Sequence, residues 1–247
     1  MKIQKNTVKQ TMRLLDGPAG KIQAISLSNT HVKKEQILVL PNGYGALEYS
    51  KTLGSVLSKK WSNILIPNLR GQGASDGELS IKGGAEDIIY LCNKIRSNSD
   101  RKITIIVHCS AIFYLLSLVQ EKKFWDGVEK IILYGYLARP TDHTERFIKK
   151  AKKYGVKGQF SRDEIAEFHS HIYSDIPVPF FVVHPLSVTN LARANKSQLD
   201  ELMKNGNPEL ILTPEKGYEI LDIAQDSAVS SIVTDCFNPI ISGVASC

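Results

Sequence analysis

The clearest regularity along the chain is a series of short apolar runs, bounded by turn residues and separated by stretches of helical periodicity. The first two runs, 8–15 and 21–27, flank a turn cluster at 16–20 and predict an antiparallel hairpin. Further runs predict strands, in chain order, at 36–40, 63–66, 102–107, 129–134, 179–183 and 209–212.

Helical patterns follow most of these strands, at 47–59, 83–96, 111–120, 197–205 and 219–236. This alternation predicts an α/β fold, a largely parallel sheet flanked by helices on both faces. Ligands bind such sheets at the carboxyl ends of the strands. The segment 138–175 interrupts the alternation, is rich in Lys, His and Glu, and ends at a Pro-containing stretch. It is predicted to be a helical lid insertion over the strand ends.

The turn after the fifth predicted strand carries the most specific chemical signal. Val107-His108-Cys109-Ser110-Ala111 lies between an apolar strand and an apolar helix, which is typical of a nucleophile elbow. This turn exposes its central side chain and crowds the positions two before and two after it. Centring the turn on Ser110 would put His108 and Ile112 at the crowded positions, so Cys109 is the predicted nucleophile. The alternative is a small, buried, apolar cysteine.

Length and composition narrow the class of protein. A chain of 247 residues with 43% apolar content can bury one sizeable core, which predicts a single domain over 1–247. The four cysteines are far apart and residues 1–9 lack the apolar region of an export signal, so a reduced, cytoplasmic protein is expected. No apolar stretch approaches the ~20 residues that cross a bilayer, so membrane insertion is not expected.

Charge adds a candidate binding surface. The net charge of +6 is modest and no aromatic-basic motif accompanies it, so nucleic-acid binding is not predicted. A lysine cluster could attract an acidic carrier protein, a nucleotide-like thioester or a phosphate, or could be a solvated helix face. Its members are Lys149, Lys150, Lys152, Lys153 and Lys157. The pair His169 and His171 lacks a third ligand, so neither a metal nor a cofactor is predicted.

Three stretches together resemble the α/β-hydrolase superfamily. Residues 40–45, Leu-Pro-Asn-Gly-Tyr-Gly, resemble the His-Gly-x-Gly loop whose backbone N–H helps to form the oxyanion hole. Residues 68–77, Asn-Leu-Arg-Gly-Gln-Gly-Ala-Ser-Asp-Gly, are similar to the Asp-x-Arg-Gly-x-Gly-x-Ser turn after the fourth strand. The third stretch is the elbow, with Cys109 in place of the usual serine. The resemblance implies an α/β-hydrolase fold and an oxyanion hole formed by the N–H groups of Tyr44 and Ser110.

The second stretch looks functional, but a structural role is predicted for it. Gly71 and Gly73 would permit a tight turn with positive φ, and Arg70 is expected to pair within the loop.

The catalytic triad that the resemblance implies is incomplete. The family's acid follows the seventh strand, where residues 183–190 contain no carboxylate, and Tyr218 stands where the family's histidine is expected. No histidine follows His184. His184 and His143 are the candidate bases near the strand ends, with surface or core histidines as the alternative. Tyr218 could orient an acyl group or donate a proton, or be a buried aromatic residue.

A thiol tolerates the loss of a base better than a hydroxyl, because a few per cent of it is already thiolate at neutral pH. The following helix N-terminus would favour that thiolate. Since attack on a thioester exchanges one thiol for another, whereas hydrolysis needs an activated water, the predicted function is acyl transfer. The donor would be a CoA or acyl-carrier thioester, the intermediate acyl-Cys109, and the context fatty-acyl or natural-product biosynthesis, as the resemblance to thioesterases and fatty-acyl transferases implies. The alternatives are an inactive binding or partner subunit and a thioesterase with a displaced base.

Overall fold

The fold is that of a computed structural model, which describes residues 8–31, 35–41, 54–59, 61–134, 153, 155–158, 160–161, 163–164, 176–185 and 209–213. The strands within these ranges are β1 (Lys9–Gly17), β2 (Gly20–Ser28), β3 (Gln36–Leu40), β4 (Ile64–Pro67), β5 (Ile103–His108), β6 (Val128–Tyr134), β7 (Phe180–Pro185) and β8 (Glu209–Thr213). The strands predicted from the apolar runs are confirmed, with ends within two residues of the predicted ends.

These strands form one sheet in the order β1-β2-β4-β3-β5-β6-β7-β8. β1 and β2 pair as the expected hairpin, with Lys9 opposite Ser28 and Gly17 opposite Gly20. β2 is antiparallel to β4, and every later pairing is parallel. The largely parallel sheet is therefore confirmed, and β5 lies between β3 and β6 in its middle.

The central strands are buried on both faces. In β5, Ile105 packs with the larger cluster of buried side chains and Ile106 with a second cluster on the opposite face, and both are fully buried. β3 alternates in the same way, with Leu38 on one face and Val39 on the other. Burial on both faces explains why these strands are continuous apolar runs in the sequence.

Three helices have defined bounds: α1 (Ile81–Arg96), α2 (Ile112–Leu116) and α3 (Lys122–Trp125). Residues 54–57 are also helical. α1 begins two residues before the predicted start, because Ser80 Oγ accepts a hydrogen bond from the N–H of Gly83 and so caps the helix. The predicted helices at 197–205 and 219–236, and residues 47–53, lie outside the described residues.

The helix expected over 111–120 is wrong in its extent. α2 ends at Leu116, where the hydroxyl of Ser117 donates to the carbonyl of Tyr114 at 2.7 Å. The next bonds tighten to a three-residue spacing, from the N–H of Leu118 to the carbonyl of Leu115 and onward. The indole N–H of Trp125 then donates to the carbonyl of Leu118, which gives a carbonyl beyond the helix end a side-chain partner.

The loop after β4 is held by a buried ion pair. Arg70 Nη2 lies 2.8 Å from Asp87 Oδ1, and the N–H of Arg70 donates to Asp87 Oδ2 at 2.8 Å. The expectation that Arg70 pairs within the loop is wrong, because its partner Asp87 lies on α1, where the carboxylate of Asp87 is fully buried. Gly71 and Gly73 have φ of 76° and 53°, as the tight turn requires.

This ion pair predicts a large stability effect. Asp87→Asn leaves the guanidinium of Arg70 without its buried charged partner and should lower the free energy of unfolding by about 3 kcal/mol. The matched control is Glu86→Gln, because Glu86 also contacts Arg70 but is 61% exposed, and its loss should stay below about 1 kcal/mol. Urea denaturation at pH 7 measures both, and equal losses would contradict the assignment.

Candidate active site

The candidate site is built on the backbone turn that follows β5. β5 ends at His108, Cys109–Ala111 form a single 3₁₀ turn, and α2 begins at Ile112. Cys109 is therefore the first residue beyond the central strand, at the carboxyl edge of the parallel sheet. This is the strand-to-helix turn that the sequence predicts, although the side chain of Cys109 lies outside the described part and its role stays a prediction.

The residues that flank Cys109 are packed as an elbow requires. Val107 and Ala111, two residues before and two after it, both have no exposed surface. Ser110 is also buried, with 2% of its surface exposed. Side chains larger than these would collide with the strand or the helix, since the two elements nearly touch at such a turn.

His108 lies on the face of the sheet opposite to that of Val107. It is paired in register with Tyr134 of β6, and strand alternation puts it on the same face as Ile106, opposite the face that Val107 covers. Burial lowers the pKa of His108 to about 4, so its imidazole is neutral at neutral pH. This position below the elbow agrees with a packing role.

The helix that follows Cys109 is shorter than expected, so its dipole stabilises a Cys109 thiolate less than expected. In place of a helix over 111–120, the chain forms a 3₁₀ turn and a helix of five residues. So short a helix aligns few peptide dipoles, and we assign no thiolate stabilisation to it. Individual backbone N–H groups of the turn, such as that of Ser110, are the remaining candidates.

The other predicted site residues are only partly placed. Tyr44, His143 and Tyr218 lie outside the described residues. The backbone of His184 is in β7, opposite Leu212 of β8, and its side chain is outside the description. β7 is two strands from β5, so the two strand axes are about 10 Å apart at the edge where Cys109 lies.

Two aromatic residues behind the elbow do not stand out in the sequence. Tyr114 of α2 and Phe160, which belongs to the predicted insertion, are both fully buried and meet edge to face with ring centroids 5.5 Å apart. Burial raises the pKa of Tyr114, and the carboxylates of Asp87 and Glu164 raise it further. The tyrosine hydroxyl therefore stays protonated. The Ser161-x-x-Glu164 pattern of a capping box is the sequence signal that could have located this part of the insertion.

Within the described ranges, no group of three or more His, Cys, Asp or Glu side chains is placed to hold a metal ion. The helices of that same part of the chain are too short or too polar to cross a bilayer.

Comparison with solved structures identifies the fold. No protein-family model matches the chain, and a search among curated proteins finds no relative. An α/β serine hydrolase homologue from Coxiella burnetii is 12% identical, with a TM-score of 0.62 over 91% of this chain and 96% of that chain. An esterase from Pyrobaculum calidifontis is 13% identical, with a TM-score of 0.65 over 97% of this chain and 87% of that chain.

A third solved structure, an α/β serine hydrolase without a lid from Xanthomonas campestris, is 13% identical, with a TM-score of 0.60 over 92% of this chain and 94% of that chain. Together with the strand order, these likenesses establish that the chain has the α/β-hydrolase fold that the three sequence stretches predicted. The insertion over 138–175 lies mostly outside the described residues, and its role as a lid stays a prediction.

The half-buried His108 predicts a pH-dependent stability. Its pKa of about 4 in the folded chain is below the ordinary value near 6.5, so the unfolded chain binds a proton that the folded chain does not. Stability should therefore fall as the pH drops from about 6.5 towards 4, by up to about 3 kcal/mol from this residue. Urea denaturation of the wild type and His108→Gln at several pH values isolates the effect, because the variant should lose less. Parallel stability curves would contradict it.

Proposed function

We propose that the protein transfers acyl groups from a CoA or acyl-carrier thioester through a covalent acyl-Cys109 intermediate. The observation that supports this best is the position of Cys109 as the first residue after the central strand, between the fully buried Val107 and Ala111. A turn of this shape raises its central side chain towards the cleft at the carboxyl edge of the sheet. The neighbours named serine hydrolase and esterase support the coarser form of the proposal, an α/β enzyme of the hydrolase type.

The reaction has two half-reactions. The Cys109 thiolate adds to the thioester carbonyl, and the tetrahedral oxyanion is stabilised by the N–H groups of Ser110 and Tyr44. Collapse of this adduct breaks the bond to the donor sulfur and releases the donor as a thiolate. An acceptor thiol, amine or carbanion then adds to the acyl-Cys109 carbonyl, and collapse of this second adduct breaks the bond to Cys109 and returns its thiolate. The proton that a thiol or amine acceptor loses is taken up by the released donor thiolate through solvent.

Transfer is favoured over hydrolysis by the missing general base. No histidine follows His184, and residues 186–190 contain no carboxylate. A positioned base contributes about 100-fold to 10,000-fold to a proton transfer, so water is a poor acceptor without one. If His184 or His143 supplies that base, the protein is a thioesterase instead, which would agree with its esterase neighbours.

The donor class is supported by surface charge. Lys153 and Lys157, two members of the lysine cluster, are exposed. Phosphate groups of CoA and the acidic surface of a carrier protein are complementary to such a cluster. The second candidate function, an inactive binding or partner subunit, is favoured by the same incomplete triad, and acyl loading separates it from the enzyme.

Acyl loading is the direct test of the nucleophile. Incubation with a medium-chain acyl-CoA should add one acyl mass to the peptide that carries Cys109, as measured by mass spectrometry. Cys109→Ala should not load, and Cys109→Ser should load at least about 100-fold more slowly, because no positioned base is evident to activate a hydroxyl. Cys92→Ala is the matched control and should load normally, since burial raises the pKa of the Cys92 thiol to about 12 and keeps it inert. Loading of Cys109→Ala would contradict the nucleophile, whereas full activity of Cys109→Ser would show that a positioned base exists and would contradict the account of the missing histidine.

The fate of the adduct tests the reaction type. Acyl-Cys109 should persist in buffer and be discharged at least about 100-fold faster when a thiol or amine acceptor is added, because water lacks a base. Rapid release as free acid in buffer would favour the thioesterase, and His184→Ala and His143→Ala would then identify the base. Failure to load, with Cys109 still alkylated by iodoacetamide, would favour the binding subunit.

A further inference from the structure

Residues 155–158 of the insertion are joined by backbone hydrogen bonds to the loop after β4. The N–H of Leu79 donates to the carbonyl of Lys157 at 2.7 Å, and the N–H of Lys157 donates to the carbonyl of Gly71 at 2.8 Å. Leu79 and Gly158 form a parallel bridge between the two segments. The insertion is thereby attached to the loop that carries the Arg70–Asp87 ion pair.

Glycines make this attachment possible. Gly71 and Gly158 have φ of 76° and 80°. A Cβ at Gly158 would lie 2.8 Å from the backbone nitrogen of Leu79, and one at Gly71 would overlap the carbonyl of Lys157. Because the obstacles are backbone atoms, neither position accepts a side chain without separating the segments.

A second anchor lies a few residues further along. The N–H of Glu164 donates to Ser161 Oγ at 2.9 Å and the N–H of Ser161 donates to Glu164 Oε2 at 3.2 Å, which is the reciprocal pattern of a capping box. Glu164 Oε1 also accepts a hydrogen bond from the N–H of Ile81 at 3.2 Å. One carboxylate therefore joins the insertion to the start of α1, where negative charge is favoured.

Phe160 lies between these two anchors along the chain, and its ring contacts Tyr114 of α2. It is fully buried, and its ring meets Tyr114 at an interplanar angle of 80°. The ring of Tyr114 in turn packs on Gly84 of α1, where any Cβ would overlap it. The rings of Phe160 and Tyr114 thus connect the anchored insertion to α2, less than two helical turns after Cys109.

We infer that Phe160 is a positioning residue, which holds α2 through Tyr114 and so fixes the turn that presents Cys109. The inference rests on the proposed function, in which Cys109 is the reacting group. Two features support a positioning role over ordinary packing: Phe160 is held from both sides by hydrogen bonds, and its ring contact is to the five-residue helix that continues from the elbow. So short a helix has little intrinsic stability and depends on such contacts for its position.

The test compares two buried phenylalanines. Phe160→Leu removes the ring that contacts α2, and Phe180→Leu is the matched control, since Phe180 is also buried but lies at the start of β7, two strands from β5. The first readout is the alkylation rate of Cys109 by iodoacetamide at pH 7, followed by peptide mass spectrometry. The second is the acyl-loading rate at saturating and limiting donor, with urea denaturation to compare the stability losses.

Phe160→Leu should slow alkylation at least about three-fold relative to Phe180→Leu, because the thiolate loses its alignment with the N–H groups of the turn. It should also lower the loading rate at saturating donor while the half-saturating concentration stays within two-fold. Glu164→Ala, which releases one anchor with little loss of core packing, should slow alkylation in the same direction and serves if Phe160→Leu fails to fold.

The outcomes separate the two proposals. Equal alkylation rates in Phe160→Leu and Phe180→Leu, or a faster rate in Phe160→Leu, would overturn the positioning role even if the wild type loads acyl groups. Slowed alkylation in a protein that never loads would support the positioning role and reject the acyl-transfer proposal.

Discussion

Burial of the central strands on both faces is the constraint on which the rest of this molecule depends. With Ile105 and Ile106 of β5 both fully buried on opposite faces, a polar group within the strand would have to be desolvated. A reactive group that a substrate can reach is therefore best placed where the strand ends, and Cys109 is the first residue beyond that end. The same burial fixes β5 between β3 and β6, so the turn at Cys109 begins from a rigid base.

The loop after β4 is a structural platform for this arrangement. Its resemblance to a family motif could indicate a catalytic role. In the structure, however, Arg70 pairs with Asp87, and the absence of a side chain at Gly71 lets the backbone of Lys157 approach closely. The loop thus connects α1, through the buried ion pair, to the insertion, through backbone hydrogen bonds. A loop that resembles a family motif can therefore support a site through packing, without any of its side chains taking part in the reaction.

The sequence predicts those features that depend on local pattern. The strands and the strand-to-helix turn follow from apolar runs and turn residues within a few positions of one another, so the placement of Cys109 directly after β5 could be predicted from the sequence. The early end of α2 could not be predicted, because it depends on bonds made by Ser117 and Trp125. The partner of Arg70 lies 17 residues away, and the partner of Tyr114 lies in another segment altogether. Such contacts require tertiary structure, and the same is true of any base that serves Cys109.

This separation of local from distant features bears on the chemistry. Formation of an acyl-enzyme needs a thiolate and backbone donors. In the proposed site the strand-to-helix turn supplies the thiolate and the N–H of Ser110, and the loop after β3 supplies the N–H of Tyr44. Attack of water on that intermediate needs a base, which the fold brings from other strands. This chain has the strand-to-helix turn on which formation of the acyl-enzyme depends, but it has no histidine after β8 to activate water. Under the acyl-transfer proposal, the lifetime of acyl-Cys109 is therefore set by access of the acceptor, and the fold alone does not decide between transferase and hydrolase.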